Sequence, residues 1–192
     1  YYGQAQPGDT LLMADGIYDE AYTMTFDKEG VVLKAAEGAK PVIALTGEWT
    51  TIGLYASTTF DGIGFDGTNK CYYPISSYGS DAGTYTFKNC EFTGWMYWAI
   101  SNHYEANTHV DNVLIENCLF HDAAGSAIYF NDDAPTGEHA CANFEMKNST
   151  LYNLVEDEYV GVIHVSSRSE ATGAQNKVVI DHITMYDCTT PS

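Results

Sequence analysis

Five six-residue segments of the chain carry one order of apolar and polar positions: Phe60-Asp61-Gly62-Ile63-Gly64-Phe65, Phe87-Lys88-Asn89-Cys90-Glu91-Phe92, Ile115-Glu116-Asn117-Cys118-Leu119-Phe120, Met146-Lys147-Asn148-Ser149-Thr150-Leu151 and Ile180-Asp181-His182-Ile183-Thr184-Met185. Each reads apolar, polar, turn residue, small or aliphatic, variable, apolar. The third positions lie 27, 28, 31 and 34 residues apart, a period that marks a stack of supersecondary units with loops of growing length. Gly62, Asn89, Asn117, Asn148 and His182 are residue types that tolerate a left-handed backbone. They predict a tight bend between two short strands, with the flanking apolar residues turned into the stack. His182 is accordingly read as a turn residue rather than a catalyst, and stacked asparagines are expected to bond from coil to coil.

A second repeated strand lies between the bends: Pro74-Ile75-Ser76-Ser77, Ala99-Ile100-Ser101-Asn102, Ala127-Ile128-Tyr129-Phe130 and Val162-Ile163-His164-Val165. With Ile75, Ile100, Ile128 and Ile163 inward, Ser76, Ser101, Tyr129 and His164 form one outward column. Tyr78, His103, Asn131 and Ser166 form the next. No long segment has apolar residues at helical spacing. The pattern therefore predicts an all-β, single-stranded right-handed parallel β-helix of five to seven coils, occupying 1–192 as one domain. Residues 1–45 are expected to be N-terminal capping coils, because the open ends of a solenoid need covering. The absence of a recognisable cap after the last bend predicts that the native protein continues.

Composition narrows the partners. The 192 residues hold 26 Asp and Glu against 8 Lys and Arg, a formal charge of −18, which argues against nucleic acid or an anionic membrane surface. The apolar runs are too short to span a bilayer. Five cysteines cannot all pair, and Cys90 and Cys118 fall at equivalent places in the repeat, where small buried side chains are expected.

The opening Pro7-Gly8-Asp9-Thr10, then Ala14-Asp15-Gly16-Ile17-Tyr18, Gly30-Val31-Val32-Leu33-Lys34-Ala35-Ala36 and Lys40-Pro41-Val42-Ile43, resembles the first coils of the pectate-lyase-like superfamily. The likeness is nearest to chondroitinase-B-type and alginate-lyase-type β-helices and to β-helix domains of bacterial surface lipoproteins from polysaccharide-utilisation loci. It implies an exported, cell-surface protein with a polysaccharide partner and an outer-membrane transport complex as a further one. In such lyases Lys and Arg serve as base and acid and calcium often binds the substrate carboxylate. This chain has one arginine, Arg168, and scattered lysines, so no catalytic pair is carried over.

The outward columns supply the candidate site: Ser101 and His103 on one coil, Tyr129, Asn131 and Asp133 on the next, and His164, Ser166 and Arg168 on the third. Coils about 4.8 Å apart would bring these side chains into one groove. There His164 or Tyr129 would act as base and Arg168 would hold a carboxylate. The plain alternative is a solvated polar face. Asp132-Asp133 and other acidic groups suit the two-carboxylate chemistry of glycoside hydrolysis or a calcium ion, yet no regular ligand spacing appears and no metal ligand is assigned. Trp95-Met96-Tyr97-Trp98 offers aromatic faces to a sugar ring, with sealing of the core as the competing role. Three readings stand: a glycan-binding surface protein, a polysaccharide lyase, and a structural or adhesin subunit. The net charge favours a neutral glycan, since it repels a polyuronate unless calcium bridges the two.

Overall fold

A computed structural model describes residues 2–79, 82–102, 108–131, 140–155, 161–166 and 177–189. The described chain winds through three parallel sheets. Sheet A gathers Thr10–Met13, Val31–Ala35, Thr58–Asp61, Ala82–Lys88, Val110–Glu116, Cys141–Lys147 and Lys177–Asp181. Sheet B gathers Gly16–Glu20, Pro41–Leu45, Gly64–Asp66, Glu91–Thr93, Leu119–Ala123, Thr150–Leu154 and Thr184–Tyr186. Sheet C gathers Met24–Phe26, Ile52–Leu54, Ile75–Ser77, Trp98–Asn102, Ser126–Phe130 and Ile163–Val165. The chain visits A, B and C in turn and then stacks the next coil on the last, which makes seven coils of a right-handed parallel β-helix.

Straight inward columns build the core. On sheet A the register aligns Leu33, Phe60, Phe87, Ile115, Met146 and Ile180; on sheet B it aligns Ile43, Phe65, Phe92, Phe120, Leu151 and Met185. Phe92 lies flat between Phe65 and Phe120, with ring centroids 4.8 and 4.6 Å away. Ile75, Ile100, Ile128 and Ile163 align on sheet C as the alternation predicted. In the last coil Ile180 and Met185 continue these columns but are exposed, as is Val178, which pairs with Phe144. At the other end Leu11, Met13, Met24, Phe26, Leu33 and Ile43 line an apolar cavity of about 410 Å³.

The bends carry the geometry that their residue types require. Gly62 has φ 75°, and Asn89, Asn117, Asn148 and His182 have φ between 50° and 53°, so His182 is a turn residue. Asn89 donates to Asp61 at 2.7 Å and Asn117 donates to Asn89 at 3.4 Å, the coil-to-coil ladder expected of stacked amides. A second series of left-handed positions closes sheet B at Gly94, Asp122, Asn153 and Asp187. Its intervals of 28, 31 and 34 residues repeat those of the first bend. All five cysteines are free thiols, and Cys71, Cys90, Cys118 and Cys141 are buried.

One outward column lies just before the first bend on sheet A: Lys34, Asp61, Lys88, Glu116, Lys147 and Asp181 stand in register on six successive coils. Their signs alternate without exception. Opposite charges on directly paired residues favour that pairing, while like charges would oppose it.

Candidate functional site

The corner between sheets B and C and the outer side of sheet C carry the candidate residues. Ser76, Ser101, Tyr129 and His164 form one column in register, as read from the sequence. Asn131 and Ser166 stand beside it. Three of the residues assigned to this groove, His103, Asp133 and Arg168, lie outside the described residues.

Hydrogen bonds orient the polar members. Ser166 Oγ donates to Asn131 Oδ1 at 3.2 Å, and Asn131 Nδ2 donates to the Tyr129 hydroxyl at 2.8 Å. His164 Nε2 lies 3.1 Å from Ser166 Oγ. Because the Ser166 proton is committed to Asn131, Ser166 Oγ is the acceptor in that contact and Nε2 carries a hydrogen. The network thus runs His164 to Ser166 to Asn131 to Tyr129. His164 is held as a donor at Nε2, so any base chemistry would have to use Nδ1.

Asn102 anchors this network from within. It is 2% exposed, its Oδ1 accepts from Asn131 N–H at 2.9 Å, and its Nδ2 donates to Asn131 O at 2.9 Å. An asparagine is needed for this, since only an amide matches both halves of a peptide group.

Two expectations are corrected. Ser101 is 1% exposed and bonds Ile75 O at 3.4 Å, so it belongs to the floor and does not reach a ligand. Trp95 is fully buried with Nε1 donating to Ser126 O at 2.9 Å; its ring packs edge-on to Phe120 and seals the core. The aromatic body was easier to bury than to leave in water.

Aromatic rings instead gather in two neighbouring columns. In the first, Trp98 stacks on Tyr129 at 3.8 Å and Tyr129 on His164 at 5.1 Å, with Tyr73 beside Trp98 at 5.1 Å. Rings stacked along the solenoid axis cover one another's faces and offer mainly edges outward. In the second, Trp49, Tyr72 and Tyr97 meet at 4.9 Å per step with interplanar angles of 88° and 69°. Tyr97 stacks one face on Tyr73 at 5.8 Å, but the tilted contacts of the column leave other ring faces uncovered, and Trp49 is 62% and Tyr97 47% exposed. Partial burial and the nearby Glu48 carboxylate push the Tyr72 hydroxyl above its ordinary pKa, so it stays a neutral donor.

Trp49 and Tyr72 were not singled out from the sequence, although a signal existed. Trp49, Tyr72 and Tyr97 each stand three residues before an inward isoleucine, Ile52, Ile75 or Ile100. The column stops at Gly125, three residues before Ile128, where a Cβ would meet Tyr97 O at 2.1 Å. Among the described residues no group of three or more His, Cys, Asp or Glu side chains is placed to hold a metal ion. No helix among them is long and apolar enough to cross a membrane.

The chain matches no protein-family model and no curated protein. It is similar to the solved structure of a PL6-family alginate lyase, an arginine-to-alanine variant, with a TM-score of 0.66 at 15% identity. The match covers 99% of this chain and 38% of the lyase, so the chain spans well under half of that structure. At this identity the likeness concerns architecture, since one fold hosts many activities. The chain has a right-handed parallel β-helix fold, the architecture it shares with that lyase.

Proposed function

We propose that this chain binds a polysaccharide along the B–C corner, and that the ligand is an uncharged glycan. The observation that carries the reading is the column Trp49, Tyr72 and Tyr97, which crosses three coils with two strongly exposed rings. Successive coils repeat every ~4.8 Å, so three coils span about 10 Å, the length of two pyranose units. The flat faces of Trp49 and Tyr97 suit the C–H faces of sugar rings, and the hydroxyls of Tyr72 and Tyr97 suit their polar rims. The charge of −18 opposes a polyanionic ligand. Export, attachment to the cell surface as an outer-membrane lipoprotein, and delivery to a transport complex form the wider setting of the proposal, supported by the sequence resemblance.

Affinity electrophoresis against neutral and uronate polysaccharides tests it. Retardation by a neutral glycan is expected, weakened about 5- to 30-fold by Trp49→Ala or Tyr97→Ala, the range for losing one packed aromatic. Unchanged retardation in the Trp49→Ala/Tyr97→Ala double variant would refute the assignment.

The oriented network from His164 to Tyr129 favours a second reading, a polysaccharide lyase, and a polysaccharide lyase is among its structural neighbours. Its measure is ultraviolet absorbance of an unsaturated product on uronate polysaccharides with and without calcium. Activity unaffected by His164→Ala and Arg168→Ala would remove these residues from any such chemistry.

A further inference from the structure

The outer face of sheet A is distinct from the rest of the molecule. Lys34, Lys88, Lys147 and Lys177 on the strands of this sheet nearly balance Asp61, Asp111, Glu116, Glu145 and Asp181, and Asp111 lies 3.3 Å from His109. The remainder of the chain holds 21 acidic and 4 basic residues, so nearly all of the net charge lies elsewhere. Beside the charged column runs a nearly neutral one, Val32, Thr59, Thr86, Leu114, Glu145 and Val179. Its single carboxylate, Glu145, is engaged by Lys147 and Lys177. This is the face on which two strongly acidic molecules could meet with the least like charge between them.

We propose that sheet A is a self-association face on which two copies of this chain pack antiparallel about a two-fold axis lying between the coils of Lys88 and Glu116. The charge order itself carries the argument. Rotation about an axis along the strand direction reverses the stack of coils and leaves each column opposite itself. Lys34 then faces Asp181 of the second copy, Asp61 faces Lys147, and Lys88 faces Glu116. Each contact occurs twice, as a two-fold interface requires, and every one joins opposite charges.

The centre of the face supplies an independent observation. Lys34 is already paired with Asp61 at 3.0 Å, and Asp181 lies 2.8 Å from His182. Among the described residues Lys88 and Glu116, although directly in register, make no close ion pair, and Lys88 acts on Asp61 only at longer range. They flank a depression of about 140 Å³ lined also by Thr86, Leu114, Glu145 and Lys147. The two-fold axis would pass through that depression and give Lys88 and Glu116 a close partner each.

Six coils at ~4.8 Å and about 17 Å of strand give roughly 450 Å² per copy, or about 900 Å² in all. That is below the 1,200 Å² or so of standard stable complexes. The association is therefore weak and concentration-dependent. The B–C corner lies on the opposite side of the triangular coil, so the association neither uses nor blocks the proposed glycan surface.

Sedimentation velocity of the full chain from about 10 µM to 1 mM at 0.15 M salt tests the proposal. Wild type is expected to shift from monomer toward dimer across that range. Lys88→Glu places two like-charged contacts at the centre and is expected to raise Kd at least tenfold. Lys88→Glu/Glu116→Lys restores opposite charges between copies while putting like charges beside each other within each chain, and is expected to recover the dimer to within about threefold. Lys88→Gln, which removes the charge without adding repulsion, serves if the reversal lowers the melting temperature below that of the assay. A monomer at every concentration, a Lys88→Glu or Lys88→Gln protein that associates like wild type, or a folded double variant that stays monomeric would overturn it.

Discussion

Asn102→Leu is the most informative single change in this molecule, because it alters little volume while removing both bonds to the Asn131 peptide group. The buried Asn102 amide satisfies the N–H and the C=O of Asn131 at 2.9 Å each. An unmade hydrogen bond at a buried backbone group costs about 1–3 kcal/mol. Asn131 is only half-buried, so water can recover part of the loss, and the expected destabilisation is about 2 kcal/mol rather than twice that. Leucine returns some of this by burying more apolar surface, which sets a floor near 1 kcal/mol. Urea unfolding followed by circular dichroism should show a lower midpoint with an unchanged slope. The same substitution loosens the bonded chain from His164 through Ser166 and Asn131 to Tyr129. Tyr129 stacks on Trp98 at 3.8 Å, so tryptophan fluorescence should change before global unfolding. A midpoint shift worth less than about 0.5 kcal/mol, with native fluorescence, would show that Asn102 does not hold this strand edge.

Acid sensitivity and thiol reactivity follow from the same structure. Burial raises the Asp61 carboxyl, but the Asn89 hydrogen bond and Lys34 outweigh it and leave the group below the ordinary carboxylate range. A lowered folded pKa means stabilisation that is complete above the unfolded value near 3.9 and is lost as pH falls through the folded one. The stability gap between wild type and Lys34→Met, under about 1 kcal/mol for so exposed a pair, should hold from pH 7 to 5 and close below pH 4, as read from urea midpoints; a gap that widens on acidification would contradict the pairing. Burial pushes the Cys71 and Cys141 thiols up to about 12. A chromogenic disulfide reagent at pH 8 should therefore label the half-exposed Cys188 quickly and the four buried thiols only on unfolding. Rapid labelling of more than one thiol in the native protein would contradict their burial.

The fold was legible because its cause is local. A left-handed bend accepts few residue types, so Gly62, Asn89, Asn117, Asn148 and His182 announced it at a regular period. The second bend was less visible: Gly94, Asp122, Asn153 and Asp187 are equally tolerant types, but no uniform apolar frame surrounds them. The candidate site was legible only in outline. Alternation placed Tyr129 and His164 in one column, yet it carries no information on what lies over a strand, so Ser101 looked open and is buried. Trp95 and Tyr97 are two residues apart in one loop and have opposite fates. The choice depends on Ser126 O and Phe120 from the next coil, which offer Trp95 a hydrogen bond and a packing surface. Trp49 and Tyr72 escaped notice because their shared offset from the inward isoleucines matters only once coils are stacked.

The alternating charges on sheet A also bear on how the chain avoids folding wrongly. Repeats this similar could mispair, one coil skipping its neighbour and settling on the next but one, with its apolar columns satisfied almost as well. Such a skip would set Lys34 against Lys88, Asp61 against Glu116 or Lys88 against Lys147, a like-charge clash in every case. Correct succession is the arrangement that places opposite signs together at every step. The ladder therefore disfavours a skipped coil order, the error that repeats of one apolar pattern invite.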